Sequence, residues 1–159
     1  INFSNLVIIH LNKKEILGCQ NNTGDLLMID EAKIHVNKKS ATGTKFFDPD
    51  LWFFKLHWPG NPNVPGAFQL ECLSQLASLI ILSQENYRKQ YMLIVGHKYT
   101  KFKKKVLPGA TLNIKANLLS WKRGLGVFYA EAEVENNLVC QSEFTMILPQ
   151  KLNNFFYVQ

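Results

Sequence analysis

The stretch His57 to Gln75, HWPGNPNVPGAFQLECLSQ, limits the fold more than any other part of the chain. Three prolines and two glycines fall within its first ten residues. Proline lacks an N–H donor and fixes φ, so this density excludes regular helix and central strand. His57 therefore opens a stiff, irregular loop. From Ala67 to about Gln84 there is no proline or glycine, and apolar residues dominate. That pattern predicts a helix whose first turn lies near Gly66.

The expected helix is apolar around most of its circumference, through Leu70, Leu73, Leu76, Ala77 and Leu79 to Leu82. Such a helix is a buried one. Glu71, Ser74, Gln75 and Ser78 nevertheless fall on one polar stripe. A carboxylate in a buried helix is costly unless it is paired or neutral. Spacing alone leaves two readings open for Glu71, a satisfied structural glutamate or an acid placed for chemistry. Cys72 is turned about 100° from Glu71 and is expected in the core.

The stretch resembles the signature of the 3-hydroxyacyl acyl-carrier-protein dehydratases of fatty acid synthesis, the FabZ/FabA family. Eight positions agree in register: His57, Pro59, Gly60, Pro62, Pro65, Gly66, Glu71 and Gln75. Glutamate at position 71 is the FabZ choice, whereas DPDLWFF at 48–54 is closer to FabA. KFKKKVLPGATL at 101–112 and KRGL at 122–125 also resemble FabZ, and the likeness runs from about Leu26 to Leu148. Departures exist. Asn21-Asn22-Thr23 stands where the family has Pro-His-Arg, Leu56 stands for glycine, and Trp58 stands for phenylalanine. The last two add bulk beside His57 and narrow the expected pocket.

The resemblance implies an α+β hot-dog fold, an antiparallel sheet wrapped around one long central helix. It implies removal of water from a 3-hydroxyacyl thioester. His57, as neutral imidazole, takes the α proton. Glu71, partly desolvated, holds a proton for the leaving hydroxyl. The helix N-terminus offers backbone N–H groups to the carbonyl oxygen, with Val64, Pro65 and Gly66 beside it and Gly66 allowing close approach. Gln75 orients the carboxyl or a water. In the family the histidine and the acid of one site come from two subunits, which implies a homodimer and commonly a trimer of dimers. Rival outcomes on the same scaffold are a thioesterase, an enoyl isomerase and a non-catalytic acyl-carrier-binding module.

The rest of the sequence fits one domain over 1–159, with an N-terminal extension at 1–24 and a tail at 149–159. Asn2 to Leu17 is expected as a short helix ending near Gly18, Leu26 to Val36 as a first strand, and Lys38 to Phe47 as a second. Tyr91 to Val106 is expected as a long strand bulged near Gly96, followed by strands from Leu112, from Phe128 and from Leu138. Trp52, Phe53 and Phe54 are expected to pack in the core. Three dispersed cysteines, Cys19, Cys72 and Cys140, point to a reducing compartment and a cytoplasmic protein. No apolar run reaches membrane-spanning length. No residue spacing calls for a metal or a cofactor, including around His97.

The net charge is +6, from sixteen lysines and only two arginines against twelve acids. Five lysines crowd into 98–105. A solvated strand edge explains them, since lysine discourages edge pairing. So does docking of an acidic partner, and acyl carrier protein is acidic. Lys101, Lys103, Lys105 and Arg123 are the docking candidates. The scarcity of arginine and the lack of a known motif argue against nucleic acid.

Overall fold

In the computed structural model, residues 7–149 are described. Seven strands form one antiparallel sheet: β1 (Ile8–Leu11), β2 (Glu31–His35), β3 (Ser40–Phe46), β4 (Leu93–Phe102), β5 (Thr111–Lys122), β6 (Leu125–Val134) and β7 (Asn137–Ile147). Their order across the sheet is β1-β2-β3-β5-β6-β7-β4, so β1 and β4 are the edges. Two α-helices accompany them, α1 (Lys13–Cys19) and α2 (Gly66–Leu82). The hot-dog arrangement anticipated above is present.

The concave face of the sheet wraps α2. Leu112, Ile114 and Ala116 of β5 alternate with exposed residues, as do Phe128, Ala130 and Ala132 of β6 with half-buried ones. Period-2 burial is what a one-faced antiparallel sheet produces. Small residues let the helix come close. A Cβ on Gly43 would meet Leu76 Cδ1 at 2.8 Å and Glu31 O at 2.7 Å. From Cys72 to Leu82 every residue of α2 is buried.

Three sequence expectations change. The short helix predicted from Asn2 is instead β1 followed by α1, and residues 1–6 lie outside the described residues. Val7, Ile8 and Ile9 supply β-branched side chains suited to a strand edge. Asn12 then starts α1 in a capping box with Glu15, at 3.0 and 2.8 Å. The supposed extension thus belongs to the sheet through pairing of β1 with β2.

The first strand begins at Glu31 rather than Leu26. Leu27, Met28 and Ile29 are consecutively buried, which alternation forbids. Their backbone is satisfied by side chains instead: Gln75 Oε1 accepts from Met28 N, and Lys45 Nζ donates to Leu27 O.

Trp52 is half exposed while Phe53 and Phe54 are buried. Trp52 to Lys55 form a 3-10 turn, whose residues step about 120° apart, so three neighbours cannot all face inward. Trp52 still packs edge-on against Phe53 and Phe68. The β6–β7 turn falls on Glu135-Asn136, with both φ values positive. The expected tail lies outside the described residues beyond Pro149.

Candidate active site

The loop carrying His57 is built from its prolines. Asn61 N donates to Trp58 O at 2.9 Å, closing a turn with Pro59 second and Gly60 third at φ 82°. That is a type II turn, which requires glycine or asparagine at the third position. Further on, Val64 N donates to Val106 O at 2.8 Å and Gln69 Nε2 donates to Val64 O at 3.2 Å. The loop is therefore pinned at its far end to the segment following β4. Val64 is buried and its N–H is committed to that bond.

His57 Nδ1 lies 3.0 Å from Asn63 O. A carbonyl oxygen only accepts, so Nδ1 carries a hydrogen, and in the neutral imidazole that leaves the lone pair on Nε2. Trp58 stacks on the imidazole at 5.0 Å and 17°. This is the bulk expected from its replacement of phenylalanine. Lys105 Nζ lies over the Trp58 ring at 5.9 Å and donates to Asn61 Oδ1 at 3.3 Å.

Pro65 precedes α2, and no side chain caps the helix N-terminus. The open side of Gly66 is not empty in the protomer. A Cβ there would meet Phe102 Cζ at 2.9 Å, so glycine lets the Phe102 ring lie against the first turn. The Phe102 ring therefore borders the first turn of α2 at Gly66.

Glu71 is half-buried. Its Oε1 accepts from Gln75 Nε2 at 2.7 Å and faces Asn22 Nδ2 at 3.5 Å. Among the described residues Oε2 has no assigned partner. Gln75 thus bonds the carboxyl, and it does more. The same amide donates to Leu26 O at 2.8 Å and accepts from Met28 N at 2.9 Å, tying the 26–28 segment to α2. Asn22 was not foreseen as a site residue. Its only sequence signal was that Asn21-Asn22-Thr23 departs from the family pattern.

Glu71, Ser74, Gln75 and Ser78 form one wall of a cavity of about 530 Å³. Gln20 to Thr23, Leu26, Leu82, Gln90 to Ile94 and Met146 also line it. His57 does not line this cavity. The single chain therefore brings Gln75 and Asn22 to Glu71 but not His57. Cys72, turned about 100° from Glu71 around the helix, is fully buried, and burial pushes its thiol well up. Among the described residues no three His, Cys, Asp or Glu side chains are grouped to hold a metal.

The basic candidates also separate. Lys101, Lys103 and Lys105 lie at the end of β4 beside the His57 loop and are exposed. Arg123 sits in the β5–β6 turn, at the other end of β6 from the β6–β7 turn that Lys104 touches through Asn137. Strand rise separates those turns by ~30 Å.

A family model described as a FabA-like domain matches residues 21–143. The chain belongs to that family. It is 32% identical over 139 residues to the 3-hydroxyacyl-acyl-carrier-protein dehydratase FabZ of Lactobacillus helveticus, covering 87% of this chain and 94% of that one. It is 35% identical over 117 residues to the FabZ of Caldicellulosiruptor saccharolyticus, covering 74% and 84%. Among solved structures, the dehydratase heterocomplex ApeI:P from Xenorhabdus doucetiae superposes with TM-score 0.72 at 14% identity, covering 86% and 93%. The PaaI protein of E. coli, from the phenylacetic acid degradation operon, gives 0.54 at 13%, covering 68% and 75%. At these identities the structural matches speak to the fold alone.

Proposed function

We propose that this chain dehydrates 3-hydroxyacyl groups on acyl carrier protein to trans-2-enoyl groups, as a lyase of fatty acid biosynthesis. His57 Nε2 takes the proton α to the thioester carbonyl. The electrons of that C–H bond form the double bond, and the β C–O bond breaks. Glu71 donates a proton through Oε2, the oxygen left free by Gln75 and Asn22, so the leaving group departs as water. Backbone N–H groups at the start of α2 face the carbonyl oxygen as negative charge develops.

The observation that carries this reading is where the two groups lie along β4. The Glu71 cavity is lined by residues at the start of β4, Leu93 and Ile94, together with Met92 just before it. The His57 loop is pinned beside its end, through Val106 and Lys105. β4 is an edge strand, and Leu93, Ile94, Val95, Tyr99 and Phe102 are exposed along it. Unpaired apolar edges invite pairing with another strand. Antiparallel pairing of β4 with its own two-fold copy places the start of one strand against the end of the other. His57 of one subunit then reaches Glu71 of its neighbour.

The same pairing moves Lys101, Lys103 and Lys105 of one subunit toward the Arg123 end of the other. Carrier docking on this reading uses both. Three free, buried cysteines suit a reducing cytoplasm, and no helix among the described residues is long and apolar enough to cross a membrane. The test is turnover of a 3-hydroxyacyl carrier-protein substrate. Formation of the enoyl thioester without release of free thiol supports the reading. Thiol release without enoyl product would replace it with a thioesterase.

A further inference from the structure

The cavity beside Glu71 holds a polar group that the dehydration chemistry does not use. Gln20 is 3% exposed and lines the cavity, yet among the described residues neither its Nε2 nor its Oε1 has a partner. A buried amide left in that state is costly, because it has lost its bonds to water and gained none. A side chain of leucine shape would avoid the cost. Gln90 contributes a second free acceptor to the same cavity: its Nε2 donates to Asn86 O at 2.9 Å, while its buried Oε1 is unpartnered.

Gln20 is also held firmly in place. Lys89 adopts φ 60° and folds back on the end of α1. Its Nζ donates to Leu17 O at 3.2 Å and to Gln20 O at 2.8 Å, and its backbone N donates to Cys19 O at 2.7 Å. Asn21 Nδ2 donates to Lys89 O at 3.0 Å. Four bonds thus fix the backbone that presents Gln20 to the cavity. Such fixed polar groups in an otherwise enclosing pocket set ligand orientation and specificity.

We infer that Gln20, with Gln90, forms a polar subsite for the acyl chain, and that the substrate carries a neutral donor–acceptor group, a hydroxyl or carboxamide, beyond the reacting carbons. This rests on the dehydratase reading of Glu71. The free amide offers one donor set and one acceptor, which a hydroxyl or an amide satisfies together. Among the described residues no lysine or arginine lines the cavity and Glu71 is the only acid that does, so a carboxylate would meet no counter-charge from them. A plain alkyl chain would bury the Gln20 amide without any partner. Sites built to bond a substrate hydroxyl discriminate strongly against analogues that lack it.

The test uses non-hydrolysable acyl-pantetheine amides of equal length, measured by calorimetry on the full chain. One is unsubstituted, and the others carry a hydroxyl at successive carbons beyond the reacting pair. At least one hydroxylated ligand is expected to bind roughly tenfold tighter than the plain one. Gln20→Leu should erase that preference, leave the plain ligand's affinity unchanged or better, and raise the melting temperature of the free protein. The inference is overturned if no hydroxylated ligand gains affinity, or if the preference survives Gln20→Leu. It is also overturned if Gln20→Leu weakens every ligand equally, because the amide would then read the shared pantetheine arm. Binding needs no turnover, so these outcomes are separate from loss of the dehydratase reading, which enoyl formation tests on its own.

Discussion

Replacing Gln75 should both loosen the fold and misplace the acid. Its amide makes three bonds, to Met28 N, Leu26 O and Glu71 Oε1, at 2.9, 2.8 and 2.7 Å. In Gln75→Leu the Met28 N–H stays buried with no acceptor, since Met28 is 1% exposed. An orphaned buried N–H costs about 1–3 kcal/mol and each other lost bond about 1 kcal/mol net. Partial relaxation brings the expected loss to about 2–4 kcal/mol. For a domain of this length that lowers the melting temperature by roughly 4–16 °C. Gln75→Glu separates the terms. It keeps an acceptor for Met28 N but loses both donors and sets a second carboxyl against Glu71. Like charges at that range force one carboxyl to hold a proton, so this variant should gain stability as pH falls through the carboxylate range. Thermal unfolding followed by circular dichroism measures both. A Gln75→Leu melt within about 2 °C of the parent would refute the argument that this amide carries the 26–28 segment.

Other outcomes follow from the same geometry. His57→Ala and Glu71→Gln should each abolish hydration and dehydration while the far-ultraviolet spectrum is unchanged, and near-normal turnover of Glu71→Gln would make Glu71 structural. Charge reversal at Lys103 and Lys105 should raise KM for carrier-protein substrates but not for pantetheine mimics, because steering by charge acts only on the acidic partner. Equal effects on both substrate types would remove the lysines from docking. His97, whose Nδ1 lies 3.0 Å from Ser142 Oγ, has its pKa lowered by partial desolvation of its ring. The unfolded chain then binds more protons than the folded one just below pH ~6.5, so stability falls as pH drops through that window. His97→Gln should flatten the fall, and an unchanged pH profile would contradict it.

The loop, the central helix and strands β5 to β7 were legible because their signals are local. Proline and glycine density marks 57–66, their absence marks α2, and Leu112-Ile114-Ala116 shows its period within five residues. What stayed hidden was long-range and polar. Residues 26–30 are apolar enough to read as strand, but the partner of Met28 N is a side chain 47 positions away. Asn22 meets Glu71 across 49 positions, and Lys89 reaches Gln20 across 69. No periodicity encodes such contacts. Glu71 itself was readable as a residue but not as a geometry: its two amide neighbours decide which oxygen remains free. Likewise the basic residues read as one group, although the sheet sets Arg123 apart from Lys105.

The central claim is that one site is shared by two chains, and subunit mixing tests it most directly. His57→Ala and Glu71→Gln proteins, each inactive, are denatured together, refolded and checked for exchange. If β4 pairs with its two-fold copy, mixed dimers hold one site with both residues intact. Random assembly makes roughly half the dimers mixed, each with one of two sites restored, so activity should return to about a quarter of the parent's. No recovery after verified exchange would contradict the shared site and return His57 and Glu71 to a single chain.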